Sequence, residues 1–177
     1  MTKITYLKSL FPELLNEITD ITLREKVINV FHQAMDLGEC DSIEGIPFTL
    51  LIENCSINFV AHTRLVTQMA LKIGELVAET ITKINKDFLV AGALLHDVGK
   101  LVEYSRSAKG YFLKSQLGNL FRHPAIGMHL CLSEGLPYEI AHICLAHSSE
   151  GDKLKRTPES WIVHHCDFIC FELAKLR

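Results

Sequence analysis

The sequence predicts an all-α protein, folded as a single-domain helical bundle. Apolar residues recur at three- and four-residue spacing along most of the 177 residues, while the alternation typical of half-buried strands is nearly absent. Hydrophobic residues make up 48% of the chain, which is enough to bury one core. No segment reaches the roughly 18 uninterrupted apolar residues of a membrane span. We therefore expect one compact helical domain.

Helix signals place the elements in order. Start and stop residues together predict helices over 22–37, 57–79, 85–99, 123–135, 137–147 and 157–173. Thr22 and Glu25 form a capping box for the first of these, and Ser56 can cap the second. Pro124 and Pro158 stand at the first helical position, where proline is favoured because its missing N–H is not needed.

The longest predicted helix, 57–79, has one apolar face that we expect to point into the core. That face consists of Phe59, Val60, Leu65, Val66, Met69, Ile73 and Leu76. Residues 103–120 are rich in turn formers and predict a loop-rich connection with at most a short irregular element. Residues 1–55 are expected to form an N-terminal helical segment that packs on or caps a core formed by residues 56–177.

Composition excludes several classes of partner. The net charge is −3 and the pI about 6.3, so no global basic field favours binding to duplex nucleic acid or to an anionic membrane. The N-terminal residues lack the apolar stretch of a secretory signal. The six cysteines contain no C-x-x-C pair, which favours free buried thiols in a reducing compartment. These features predict a cytoplasmic protein.

The pair His96-Asp97 is the strongest chemical signal. It follows the apolar run 88–95 and precedes Val98-Gly99-Lys100. Burying an imidazole and a carboxylate costs several kcal/mol unless a partner satisfies them, and a divalent cation bound to both would do so. The pair therefore predicts a metal site.

Further imidazole and carboxylate side chains occur in other predicted helices. The candidate metal ligands are His62, His96, Asp97, His123, His147 and Asp167. Ligands of this kind suit divalent iron, manganese, cobalt, nickel, zinc or magnesium. With four neutral imidazoles and two carboxylates, one ion makes the centre neutral and two ions make it positive, so a pair of ions would attract a phosphate. Two ions could also lower the pKa of a bound water and make a hydroxide nucleophile.

Two residues are assigned catalytic roles in this scheme. The two oxygens of Asp97 could bind two ions, which would make it a bridging ligand. Lys100 follows Gly99 and could hold a phosphate oxygen as a flexible ammonium. His164 and His165 are left open, because either could contact the cavity or have a purely structural role.

The order of these residues resembles the HD-domain phosphohydrolase superfamily. The resemblance rests on His62, the extended His96-Asp-Val-Gly-Lys100 and Asp167, and covers roughly residues 56–170. His123-Pro-Ala-Ile-Gly127 and His147 are similar to the additional histidines of its binuclear branches, which include the HD-GYP proteins.

The resemblance implies an HD-type helical fold and a metal-dependent phosphohydrolase. It implies that His62, His96, Asp97 and Asp167 bind a first metal, and that Asp97, His123 and His147 bind a second. The chain departs from HD-GYP proteins because it has no paired histidine and no Gly-Tyr-Pro loop, so cyclic di-guanylate hydrolysis is not expected. Asn58 stands where some trinuclear members have a glutamate, so a third metal is not expected either.

These observations predict hydrolysis of a phosphoester or phosphoanhydride by metal-activated water, with a small, nucleotide-like phosphorylated substrate. The sequence leaves two alternatives to a phosphohydrolase open. A histidine-rich di-iron centre on the same scaffold could activate dioxygen, as in some HD-superfamily oxygenases. The chain could also be a non-catalytic module that senses a nucleotide or a metal. A homodimer is compatible with the sequence.

Overall fold

The computed structural model describes residues 2–53 and 55–176, and helices dominate it. In chain order the elements are α1 (Lys3–Leu10), α2 (Pro12–Asn16), α3 (Ile21–Leu37), α4 (Phe59–Thr80), α5 (Lys86–Leu95), α6 (Lys100–Glu103), β1 (Tyr104–Arg106), β2 (Phe112–Lys114), α7 (Gln116–Leu120), α8 (His123–Ser133), α9 (Tyr138–Ala146), a 3-10 turn (Ser149–Gly151) and α10 (Pro158–Ala174). The prediction of an all-α fold is confirmed.

Helix α5 lies at the centre of the fold. Asn85 caps it by accepting a hydrogen bond from the backbone N–H of Phe88, and every residue from 89 to 95 is buried. Helices α3, α4, α9 and α10 all pack against it. A helix surrounded in this way has no polar stripe, which explains the continuous apolar run. The packing is close, because a Cβ on Gly92 would collide with the side chain of Ile143 in α9.

The N-terminal helices α1–α3 share a hydrophobic cluster with α5, α8 and α9. The ring of Phe31 in α3 stacks on Phe11 with centroids 5.6 Å apart, and it meets Phe59 of α4 edge-on at 6.4 Å. Aromatic pairs of this geometry contribute about 0.5–1.5 kcal/mol beyond area burial. Asp87 in the first turn of α5 accepts hydrogen bonds from the backbone N–H and the hydroxyl of Thr19, both at 2.9 Å. The N-terminal helices are therefore fixed to the central helix by apolar and polar contacts.

The buried face of α4 differs from the predicted one. Leu65 and Leu76 are 46% and 65% exposed, so the prediction that they face inward is wrong. Helix α4 packs on α5 and α10 through a face of smaller residues that includes Thr67, Ala70 and Gly74. Small side chains let neighbouring helices approach closely. The two leucines lie at the edges of the apolar stripe, outside this contact.

Two helices begin at residues other than those predicted. The N-cap of α3 is Asp20 rather than Thr22, and that of α4 is Asn58 rather than Ser56. At each helix start the predicted and the observed N-cap residue both have side chains that can cap a helix, so the local sequence alone does not choose between them. Asn58 is selected because a β-bridge to Pro47 holds its backbone extended, as an N-cap requires.

Residues 104–114 form a short antiparallel hairpin within the region predicted to be a loop-rich connection. Tyr104 pairs with Lys114, and Arg106 pairs with Phe112. Gly110 adopts a φ of 90° in the turn, where a side chain would be strained. Strands of three residues are too short to show alternation, so the sequence pattern did not reveal them.

The described part of the chain contains no helix that is both long and apolar enough to cross a membrane. All six cysteines are free thiols. Four of them are buried, namely Cys131, Cys144, Cys166 and Cys170.

Candidate metal centre

The fold brings the six predicted ligand residues together beside the C-terminal end of α5. His62 lies in the first turn of α4, His96 is the C-cap of α5 with Asp97 directly after it, His123 begins α8, His147 is the C-cap of α9, and Asp167 lies in α10. All are buried except Asp167, whose side chain is 13% exposed. Helix ends and one mid-helix carboxylate therefore converge on one interior point.

Four of these side chains form a first donor group. The Nε2 atom of His62 lies 3.1 Å from Nε2 of His96, 3.3 Å from Oδ2 of Asp97 and 3.1 Å from Oδ1 of Asp167. The four ligand atoms all lie within 4.8 Å of one another. Two imidazole nitrogens and two carboxylate oxygens aimed at one point are a donor set that suits a divalent ion.

A second donor group shares Asp97 with the first. Oδ1 of Asp97 lies 3.3 Å from Nε2 of His123 and 3.4 Å from Nε2 of His147. Oδ1 of Asp97 and Nε2 of His147 are buried and have no hydrogen-bond partner among the described residues. An unsatisfied buried polar atom costs about 1–3 kcal/mol. A cation between these atoms would satisfy both, so the residues present fit a second metal as well as a first.

Hydrogen bonds at Nδ1 orient three of the histidine rings. Nδ1 of His96 lies 2.6 Å from the carbonyl oxygen of Ala93, and Nδ1 of His147 lies 2.8 Å from that of Cys144. Nδ1 of His123 lies 2.6 Å from a carboxylate oxygen of Glu103. Because each Nδ1 donates its proton to an oxygen, the neutral ring directs the lone pair of Nε2 into the centre.

Burial and charged neighbours shift the pKa values of four side chains in the centre. Burial would raise the pKa of Asp97, but the charge of Lys100 and the neighbouring histidines hold it well below its usual range. Burial also opposes ionisation of Asp167, yet its contact with His62 lowers its pKa to about 2. Burial would lower the pKa of His62, but Asp167 and Asp97 raise it. Burial lowers the pKa of His123 to about 4. Two carboxylates and a neutral His123 are therefore available near neutral pH.

Lys100 lies inside the centre. Its Nζ donates hydrogen bonds to Oδ2 of Asp97 at 2.6 Å and to the carbonyl oxygen of Phe48 at 2.8 Å. The ring of Phe48 in turn packs on His62, with centroids 4.0 Å apart. Phe48 was not identified from the sequence, because its contribution is a backbone carbonyl and a tertiary ring contact, for which no local pattern exists.

A cavity of about 310 Å³ opens beside the donor groups. Its lining combines aromatic, basic and acidic side chains with the donor residues Asp167 and His123. Aromatic and basic lining residues are Phe48, Tyr104, Phe168, Phe171, Lys100, Lys114, Arg122 and Lys175. Such a lining can accept a molecule that carries both a planar ring and an anionic group.

Glu103 is a further polar residue of the centre that the sequence reasoning missed. It is 1% exposed and binds both the backbone N–H and the ring of His123. Burial would raise its pKa, but the bonds from His123 and the charge of Arg122 lower it, so the carboxylate is ionised. The available signal was a carboxylate directly after the apolar pair Leu101-Val102, the same kind of signal that singled out Asp97.

The two histidines left open by the sequence have different surroundings. Nδ1 of His164 lies 2.6 Å from the carbonyl oxygen of His147, so His164 supports the end of α9. His165 is exposed and stacks on Trp161, with centroids 5.5 Å apart. Neither belongs to a donor group among the described residues.

A helical bundle that encloses two histidine–carboxylate donor groups defines a helical metal-binding protein. The family model described as "HD domain" matches residues 59–170. The chain therefore belongs to the HD domain family, whose members bind divalent metal ions.

The chain is similar to three curated relatives. The chain is 31% identical over 172 residues to a dihydroneopterin 2',3'-cyclic phosphate phosphodiesterase of Methanocaldococcus jannaschii, covering 88% of this chain and 65% of that protein. It is 26% and 28% identical over 111 residues to the 3'-5' exoribonucleases YhaM of Listeria welshimeri and Listeria innocua, covering 56% of this chain and 35% of each relative. The chain thus spans less than two thirds of these relatives. No solved structure matches significantly.

Proposed function

We propose that this protein is a metal-dependent phosphohydrolase that cleaves a phosphoester or phosphoanhydride of a nucleotide-like molecule. The observation that carries the proposal is the position of Asp97. Its Oδ2 belongs to one donor group and its Oδ1 to the other. The cavity beside both groups is lined by four basic side chains, including Lys100, and by four carboxylates, including Asp167. A carboxylate shared between two divalent ions is a recurrent arrangement in metal-dependent hydrolysis of phosphates.

The six residues would hold one or two divalent ions, with His62, His96, Asp97 and Asp167 at the first position and Asp97, His123 and His147 at the second. When bound, such ions polarise a phosphoryl oxygen and lower the pKa of a bound water towards about 7. Iron, manganese, cobalt, nickel, zinc and magnesium are the candidates, since no thiolate belongs to either donor group of the described residues.

Lys100 and Asp97 act as a unit in this proposal. The hydrogen bond from Nζ of Lys100 fixes one carboxylate oxygen, which holds Asp97 in the orientation that serves both donor groups. The same ammonium lines the cavity, where its charge stabilises a phosphate. Since Lys100 and Asp97 are both almost fully buried, water does not screen their interaction effectively.

The cavity and the relatives support a substrate with a ring and a phosphate. Phe168 and Phe171 offer apolar ring faces beside Asp167, and bases stack on aromatic side chains with a gain of about 1–3 kcal/mol. The names of two relatives refer to a cyclic phosphate and to ribonuclease activity. We therefore place 2',3'-cyclic phosphates and the 3' ends of short oligoribonucleotides first among the candidate substrates.

The proposal has a direct test. The metal-free protein is loaded with each candidate ion and assayed against nucleoside monophosphates, cyclic phosphates and short oligoribonucleotides. Asp97→Asn should abolish the hydrolysis product of each substrate, which is inorganic phosphate from a nucleoside monophosphate, a phosphomonoester from a cyclic phosphate and a nucleoside monophosphate from an oligoribonucleotide. The variant should also bind less metal, while helical circular dichroism is retained. Asp41→Asn is the matched control, because the side chain of Asp41 is fully exposed and lies far along the chain from the donor groups.

The alternatives predict different results in the same experiments. Oxygen consumption by the iron-loaded protein without hydrolysis of any phosphoester would favour the oxygenase. Tight nucleotide binding without turnover would favour a sensing module.

We further propose a cytoplasmic location, a small phosphorylated substrate rather than duplex nucleic acid, and a homodimer. Sedimentation of the metal-loaded protein tests the last of these.

A further inference from the structure

A buried carboxylate stands behind His123 in the second donor group. Oε2 of Glu103 accepts hydrogen bonds from the backbone N–H of His123 at 2.8 Å and from its Nδ1 at 2.6 Å. Oε1 of Glu103 lies 3.4 Å from Nε of Arg122, so its second oxygen is also engaged. Both the position of the first residue of α8 and the orientation of its ring therefore depend on one side chain.

A buried arginine stands behind His147, the other histidine of this group. Nε of Arg156 donates to the carbonyl oxygen of Ala146 at 2.7 Å, and its Nη2 donates to that of Ser148 at 3.0 Å. The carbonyl oxygen of His147 itself accepts from His164. The carbonyl groups of Ala146 and His147 at the end of α9, which have no partner within the helix, are thus satisfied by side chains. The carbonyl oxygen of Ser148, just beyond the C-cap, accepts from Arg156 and from the backbone N–H of Gly151. The arginine side chain is 3% exposed and holds His147 from both sides.

The first donor group is supported differently. The Nδ1 atom of His96 bonds to Ala93 of its own helix, and the Nδ1 atom of His62 is buried without a hydrogen-bond partner among the described residues. Charged side chains remote in sequence are therefore a feature of the second group. Among the described residues, neither Glu103 nor Arg156 bonds to His62 or His96.

We propose that Glu103 and Arg156 are positioning residues for the second metal subsite and set its occupancy independently of the first. The inference rests on the two-metal centre of the proposed function. Groups that orient metal-binding histidines typically contribute 10- to 100-fold in metal affinity. Glu103→Gln removes the charge and places an amide N–H opposite a donor. Arg156→Gln leaves at least one of the two carbonyl groups, of Ala146 or Ser148, without its side-chain donor.

The test is a titration of the metal-free, full-length chain with Co²⁺, followed by visible absorption and calorimetry. The wild-type protein should bind two ions in two steps. In Glu103→Gln and in Arg156→Gln, the first step should be retained and the second weakened about 10- to 100-fold. Urea unfolding of each metal-free variant measures stability separately, so a general loss of folding is recognised.

The chain offers matched controls for both variants. The carboxylate of Glu134 accepts hydrogen bonds from Asn29 and Gln33 at the far end of α8. Arg24 donates to the carbonyl oxygen of Ile18 through Nε at 3.2 Å and through Nη2 at 2.5 Å. Glu134→Gln and Arg24→Gln should retain both binding steps even where stability falls.

Each outcome decides the proposal. Selective loss of the second step in either positioning variant supports it, and Glu103→Gln alone suffices if Arg156→Gln does not fold. Unchanged titrations, or equal weakening of both steps, overturn it while leaving the proposed hydrolase intact. A wild-type protein that binds a single ion overturns the two-metal centre together with this inference. Hydrolysis of a phosphoester by that one-metal form would still support the hydrolase.

Discussion

Gly99, between the metal-site pair and Lys100, lies where the chain after α5 meets the start of α8. A Cβ at position 99 would overlap the carbonyl oxygen of His123 and lie 2.9 Å from both His123 C and Gly127 N, which is closer than real Cβ contacts occur. All three neighbours are backbone atoms, so no side chain can rotate away. We predict that Gly99→Ala displaces the start of α8 and the ring of His123 with it.

The size of the effect follows from that contact. Overpacking a well-packed core costs about 1–3 kcal/mol. Part of this is offset, because Gly99 has a right-handed helical backbone (φ −62°, ψ −18°) that alanine adopts readily, a gain of about 0.4–1 kcal/mol. The net loss of about 1.3 kcal/mol corresponds to a fall in Tm of about 3–5 °C for a chain of this length. The metal content should fall towards one ion per chain.

Gly127→Ala is the matched control for this prediction. A Cβ at position 127 would meet Cys144 Cβ and Val98 Cγ1 at 3.5 Å, which is ordinary contact. Gly127 lies within α8, so alanine should stabilise the helix by up to about 1 kcal/mol. Differential scanning calorimetry and elemental analysis of metal measure both variants. If Gly99→Ala keeps the stability and metal content of Gly127→Ala, the packing argument is wrong.

Three further predictions concern the metal and the cavity. Removal of metal with a chelator should lower the Tm. Adding the ion at a free concentration of about 100 times its Kd should restore roughly 2.7 kcal/mol to the free energy of unfolding, which unfolding curves with and without the ion measure. Asp167 and Asp97 raise the pKa of His62 despite burial, so metal binding should release a proton and weaken as the pH falls below neutrality. Calorimetry in two buffers of different ionisation enthalpy measures the released proton, and equal binding enthalpies in both buffers would contradict this prediction. Phe171→Ala should raise KM for a ring-bearing phosphoester about 5- to 150-fold, as expected for a lost stacking contact, while leaving KM for a ring-free phosphate ester unchanged. An equal rise for both esters would contradict stacking.

The parts of the fold that the sequence predicts well are those encoded by local patterns. The apolar run before His96 belongs to a helix buried on every face, and its cap at Asn85 is a short-range signal. The convergence of the six candidate ligands was also predictable, because imidazole and carboxylate groups at the ends of apolar helices need a partner. The structure brings their donor atoms within 4.8 Å in two groups. Their role as ligands remains a proposal.

The parts that local patterns do not predict depend on tertiary contacts. An apolar stripe spans about 100° of a helix, so residues at its edges, such as Leu65 and Leu76, can be buried or exposed according to how closely the next helix approaches. The role of Arg156, which lies in the loop before α10, depends on the carbonyl groups of Ala146 and Ser148, eight to ten residues earlier at the end of α9. No periodicity in the sequence records that contact.

The hairpin and α7 position Glu103 through tertiary contacts that local sequence patterns do not predict. The hydroxyl of Ser115 donates to the carbonyl oxygen of Val102 at 2.7 Å, and its backbone N–H donates to that of Glu103 at 2.8 Å, so the segment after the hairpin caps the end of α6. Gly118 lets the backbone of α7 lie directly against Glu103, since a Cβ there would collide with its carbonyl group. The hairpin returns the chain to this point over a short distance. A region without a chemical motif of its own therefore fixes the residue that orients His123.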